Sequence, residues 1–245
     1  MDSLLIEGLD KAVFSGLYND DYMTMKTIHS THFITHYRLQ FITHYNDAYS
    51  YVDSARIALE GGCRWIQLRM KDTEESLLEE TAVIVQKMCK DFGATFIIDD
   101  HVHLTRKLKA DGVHLGKNDM PVAEARRILG DSFIIGSTVN SFQDILSVIE
   151  SSTPDYFGCG PFRFTSTKKN LSPILGLEGY RDIIGQMKDN GIDIPLVAIG
   201  GIGKDDIPAL LQSGVKGIAL SGSILQAAHP QNEMKEIVNI ISTNC

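Results

Sequence analysis

From Leu39 to the C-terminus, short apolar runs alternate with segments whose apolar residues recur at i, i+3, i+4 and i+7. The runs are Leu39–Thr43, Trp65–Met70, Thr95–Asp99, Gly112–Leu115, Phe133–Gly136, Tyr156–Gly160, Pro195–Ile199 and Gly217–Leu220, eight in all. The intervening segments include Glu74–Asp91 (EESLLEETAVIVQKMCKD) and Asp205–Gly214, both with helical spacing. Strands that alternate with helices imply parallel pairing through right-handed crossovers. Several strands are continuously apolar, as expected when both faces are covered. An open doubly wound sheet shares this alternation. Eight βα units of similar length with no domain left over favour the closed form, a single α/β (β/α)8 TIM barrel.

The N-terminal stretch departs from the repeat. The pentapeptide FITHY occurs at Phe33–Tyr37 and again at Phe41–Tyr45, eight residues on. A closed barrel has one slot for its first strand, and Leu39–Thr43 leads directly into the first helix. Residues 1–38 are therefore expected to be an N-terminal extension, disordered or non-native, with Met25 a candidate start. The barrel domain is expected over 39–245.

Composition narrows the functional classes. A chain of 245 residues with 43% hydrophobic and 22% charged residues suits a soluble protein with a sizeable core. Its net charge of −8 argues against a broad nucleic-acid footprint. Cys63, Cys89, Cys159 and Cys245 form no CxxC pair and read as reduced thiols. No run is long enough to span a bilayer. Met1–Tyr22 carries five acidic residues and lacks the basic and apolar order of a signal peptide. The expectation is a cytoplasmic protein with no nucleic-acid or membrane partner; homo-oligomerisation is compatible with it.

Polar residues sit where the strands end, which in a barrel converge on one rim, the place where this fold builds active sites. In Gln67-Leu68-Arg69-Met70-Lys71, alternation sends Gln67, Arg69 and Lys71 to one side and Leu68 and Met70 to the other. Two cations and an amide suit a diphosphate, although a solvated strand end would look the same. Asp99 and Asp100 close an apolar strand, where carboxylates are costly without a compensating cation. Asp119 follows one strand later. Asp100 and Asp119 together suit Mg²⁺, which takes one or two carboxylates, waters and substrate phosphates. Helix capping is the plainer reading of Asp99 or Asp119 alone. His101, His103 and His114 raise the question of zinc, but His101 and His103 lie two apart on a helix and share no face.

The run CGPFRFTSTKKNLSPILG is long for a βα connection and holds Thr165, Ser166, Thr167 and Lys168, as ligand clamps do, or as any solvated basic loop does. The glycines of VAIGGIGKDD and GIALSGS end the seventh and eighth strands, where this fold commonly holds phosphate.

Together these segments resemble the thiamine phosphate synthase family, in order and spacing, from about Leu39 to the C-terminus. QLRMK resembles its pyrimidine-diphosphate segment, IDDHV its Asn-Asp segment, and ADGVHLGKND its second metal-binding segment. GPFRFTSTKK resembles its Thr-x-Thr-Lys loop and AIGGI its glycine turn. The resemblance implies joining a pyrimidine diphosphate to a thiazole phosphate with release of diphosphate. It implies that Gln67, Leu68, Arg69, Met70, Lys71, Asp99, Thr138 and Lys168 bind the pyrimidine diphosphate, with Arg69, Lys71 and Lys168 catalytic. Asp100 and Asp119 would hold Mg²⁺; Thr165, Ser166, Thr167, Gly201, Ser221 and Gly222 would bind the thiazole phosphate. The family's usual Asn is Asp99 here, and its usual Ser after the fifth strand is Thr138. The alternatives are a thiazole tautomerase-like isomerase on the same barrel and a non-catalytic phosphate-ligand sensor.

Overall fold

Residues 38–164 and 173–244 are described by a computed structural model. The expected 1–38 extension lies outside them except for Arg38, as do Thr165, Ser166, Thr167 and Lys168.

Eight parallel strands close into a barrel in chain order. They are β1 (Leu39–Ile42), β2 (Trp65–Leu68), β3 (Thr95–Asp99), β4 (Gly112–Leu115), β5 (Ile134–Val139), β6 (Tyr156–Cys159), β7 (Leu196–Ile199) and β8 (Gly217–Leu220). Strand β1 pairs with both β2 and β8, with Phe41 opposite Ile66 on one side and Leu220 on the other. Closure removes every sheet edge. The helices are α1 (Tyr51–Glu60), α2 (Glu75–Asp91), α3 (Val102–Leu108), α4 (Val122–Leu129), α5 (Phe142–Ile149), α6 (Gly176–Asp189), α7 (Ile207–Gln212), α8 (Gly222–Leu225) and α9 (Pro230–Thr243).

Local chemistry explains several boundaries. Ser50 and Asp53 form a reciprocal capping box at the start of α1, satisfying two otherwise orphaned N–H groups. Ser141 caps α5 through the Asp144 N–H. Helix α2 buries Leu78, Thr81, Ala82, Val85 and Cys89, the i, i+3, i+4, i+7 stripe. The helix expected over Asp205–Gly214 instead begins as a 3-10 turn, Lys204–Asp206, and becomes α-helical at Ile207. Pro208, which has no N–H to donate, suits that first turn.

The strands sort their side chains by alternation. Phe41, Ile66, Leu68, Phe96, Ile98, Phe157, Leu196 and Ile218 join the cluster under the helices. The alternate set meets inside the barrel. There the Trp65 and Tyr156 rings pack edge to face 4.9 Å apart, and Gln40 Nε2 donates to the Tyr156 hydroxyl at 3.2 Å. A Cβ at Gly136 would lie 2.2 Å from Tyr156 Cζ, so β5 passes the Tyr156 ring only because position 136 has no side chain. No helix among the described residues is long and apolar enough to cross a membrane.

Candidate active site

A cavity of about 640 Å³ opens at the C-terminal ends of the strands. Its wall includes Gln67, Arg69, Lys71, Asp99, Asp119 and Thr138 on one side, and Gly201, Ser221 and Gly222 on the other. The rim expected from the strand ends thus brings these residues to one space.

Lys71 is the electrostatic centre of the first side. Its Nζ lies 3.2 Å from Asp99 Oδ2, 3.3 Å from Asp100 Oδ2 and 3.9 Å from Asp119 Oδ2. Burial taken alone disfavours the ammonium, but the three carboxylates outweigh it and raise its pKa above the usual lysine range. Arg69 adds a second cation, its Nε 3.5 Å from Asp99 Oδ2, while its backbone N–H is held by Thr43 Oγ1 at 3.0 Å. Hard oxygen donors converging on one cation are a fitting set for Mg²⁺ in company with substrate phosphates. Among the described residues no group of three or more His, Cys, Asp or Glu side chains is arranged to hold a metal by itself.

Neither Asp99 nor Asp119 caps a helix. Asp99 Oδ1 accepts from Gln67 Nε2 at 2.8 Å, and Asp119 Oδ2 accepts the Gly116 N–H at 2.6 Å. Asp100 stands in the left-handed region (φ 70°) with its N–H on the His114 carbonyl. It lines a smaller hollow of about 400 Å³ on the far flank of Lys71, outside the main cavity. A carboxylate can only accept, so Asp99 forces Gln67 to present its NH₂ inward to the protein. Gln67 Oε1 is left buried with no hydrogen-bond partner among the described residues, in a side chain 1% exposed. A buried bare acceptor at a cavity wall suits a ligand donor.

Leu68 and Met70, the other two residues of the QLRMK segment, do not line the main cavity. Both are buried in the apolar core outside the cavity, because the alternation that brings Arg69 and Lys71 to the rim turns these two into the barrel wall. Met70 also lines the smaller hollow beside Lys71 and Asp100.

The sequence pattern did not predict the polar contacts inside the barrel below the cavity, nor several further lining residues. His114 Nδ1 meets the Tyr156 hydroxyl at 3.0 Å, and its Nε2 meets the Thr138 hydroxyl at 2.9 Å. With Gln40 these form a polar chain across the barrel interior. A polar or hydroxyl-bearing residue in each of four strands was the available signal, but nothing in the spacing says that they meet. Asn140 and Phe164 also line the cavity. His44 lies near Gly222, and burial, helped by Arg69, holds its imidazole below the usual histidine range.

On the opposite side, Gly200 and Gly201 adopt φ of 96° and 71°, conformations open to glycine. A Cβ at Gly201 would lie 2.8 Å from Arg163 Cβ and 3.0 Å from the Phe164 carbonyl oxygen, so the chain after β6 crosses directly over this turn.

Residues 39–224 match the family model described as thiamine monophosphate synthase. A thiamine-phosphate synthase of Phocaeicola vulgatus is 63% identical over 202 residues, spanning 82% of this chain and 97% of that relative. One of Bacteroides fragilis is 58% identical with 82% and 98% coverage. Among solved structures, a thiamine phosphate pyrophosphorylase from Pyrococcus furiosus superposes with a TM-score of 0.74 at 33% identity, covering 85% of this chain and 96% of that one. The chain belongs to the thiamine monophosphate synthase family.

Proposed function

We propose that the enzyme condenses 4-amino-2-methyl-5-(diphosphooxymethyl)pyrimidine with 4-methyl-5-(2-phosphooxyethyl)thiazole, giving thiamine phosphate and diphosphate. The observation that carries this reading is the Lys71 ammonium, paired with three carboxylates beside Arg69 and facing a glycine turn across one cavity. One side has the charge for a diphosphate; the other has the backbone for a phosphate.

The C–O bond to diphosphate breaks with its electron pair leaving on oxygen, and the thiazole nitrogen donates the pair that forms the new C–N bond. No protein nucleophile enters. The residues' task is to stabilise the charge that develops on the leaving group and to hold the two rings face to face. Arg69 and Lys71 would contact the diphosphate, joined by Lys168. Gln67 Oε1 would accept from the exocyclic amine of the pyrimidine, and Thr138 would line the same subsite. Gly201, Ser221 and Gly222, with Thr165, Ser166 and Thr167, would take the thiazole phosphate. Asp100 and Asp119 would hold Mg²⁺, which would supply positive charge to the leaving oxygens.

Charge accounting supports the set. A diphosphate of about −3 with two carboxylates gives about −5, matched by about +5 from Mg²⁺, Arg69, Lys71 and Lys168. Asp99, 3.2 Å from Lys71, adds one further negative charge, so its pairing with Gln67, Lys71 and Arg69 is needed to hold it there. A cytoplasmic setting is part of this reading. Cys63, Cys89 and Cys159 are free and buried, and burial pushes the thiols of Cys63 to about 11 and of Cys89 and Cys159 to about 12.

The test mixes both substrates with Mg²⁺ and measures thiamine phosphate and diphosphate. Equal amounts of both products, abolished by chelation, are expected. Conversion of the thiazole phosphate alone would instead mark an isomerase, and binding without turnover a sensor.

A further inference from the structure

The glycine turn after β7 faces the cavity through peptide groups, and a peptide can present either end. In a trans peptide the N–H of one residue points opposite to the carbonyl of the residue before it. Here both carbonyls of the turn are taken from behind. The Gly200 carbonyl accepts the Arg163 backbone N–H at 2.9 Å, and the Gly201 carbonyl accepts Arg163 Nη1 at 3.1 Å. The N–H groups of Gly201 and Ile202 therefore point the other way, toward the cavity that both residues line. Among the described residues, neither N–H donates to a protein acceptor.

The guanidinium is itself held. Nη1 lies 2.7 Å from Asp206 Oδ2 and Nη2 lies 2.5 Å from Asp206 Oδ1, a two-pronged fork. Asp206 Oδ2 also accepts the Gly203 N–H at 2.9 Å, tying the carboxylate to the end of the same turn. The Phe162 ring supports the guanidinium from below, 4.6 Å from Cζ to centroid. Arg163 and Asp206 are 43 residues apart in the chain, so the fork joins the segment after β6 to the segment after β7. With two glycines at positive φ, the turn has little intrinsic preference for one peptide orientation.

We infer that Arg163 is a positioning residue whose guanidinium, anchored on Asp206, fixes the Gly201–Ile202 peptide so that the Ile202 N–H is presented to an anionic ligand group. This rests on the reading above, in which that group is the thiazole phosphate. Lysine at this position would keep the charge and lose the fork.

Steady-state kinetics of wild type, Arg163→Ala and Arg163→Lys, with each substrate varied in turn, test the role. The expected result is a KM for thiazole phosphate raised about tenfold in Arg163→Ala and less in Arg163→Lys, the loss of about one good hydrogen bond. The KM for pyrimidine diphosphate and kcat stay within about twofold. An unchanged thiazole phosphate KM, or an equal rise for both substrates, overturns the inference. If wild type makes no thiamine phosphate, the proposed function has failed, and the same variants are titrated with inorganic phosphate. A comparable loss of phosphate affinity then upholds the positioning role, and equal affinity refutes it.

Discussion

Lys71 illustrates how one side chain is defined by what surrounds it. Three carboxylates from two successive βα loops and one strand end meet its ammonium, and each is there for a separate local reason. Asp99 closes β3, Asp100 turns left-handed after it, and Asp119 folds back on the Gly116 N–H. Their shared effect is to keep the ammonium protonated and, on the function proposed above, to keep cationic charge where the diphosphate would sit. His44 behaves in the opposite sense. Burial first, and Arg69 second, lower its pKa from 6.5, so the folded protein resists the proton that the unfolded chain accepts. Below 6.5 the unfolded state therefore binds more protons, and stability falls as pH drops toward the folded value. His44→Gln is expected to lose less stability than wild type between about pH 7 and about pH 5, measured by denaturant unfolding. An identical loss in both proteins would contradict this account of His44.

Among the elements, β5 is the one whose glycine carries the interior arrangement. A methyl group at 136 must displace the Tyr156 ring, which touches Trp65 and hydrogen-bonds Gln40 and His114. Gly136→Ala is expected to cost about 1–3 kcal/mol of stability, the range for overpacked cores. A melting temperature equal to wild type would show that the interior yields more easily than this packing implies. The same strand marks where sequence pattern stopped being informative. Apolar periodicity placed β3, β4 and β8 at their observed bounds and α2 within one residue. It closed β5 at Gly136, because Ser137 and Thr138 look like loop, whereas β5 runs to Val139. Thr138 is polar inside a strand because His114 meets it across the barrel, and a contact between separate strands has no period to read. Likewise QLRMK shows which residues share a side, but not how deeply Leu68 and Met70 are buried in the core. The Arg163–Asp206 fork, spanning two loops, left no trace in spacing at all.

At the scale of the molecule, the closed parallel barrel converts residues scattered from Gln67 to Gly222 into one cavity with a cationic wall and a glycine wall about its mouth. Only the barrel's closure sets them face to face, and that opposition is what a two-substrate condensation needs. The central claim is that fixed cations gathered by carboxylates stabilise the departing diphosphate. The most direct test is kcat of Lys71→Ala at saturating substrates and Mg²⁺, with the melting temperature measured alongside. The account predicts a fall of about 10²–10³-fold, as for removal of one well-placed electrostatic group, with the fold intact. Turnover near that of wild type in a folded Lys71→Ala protein would contradict it.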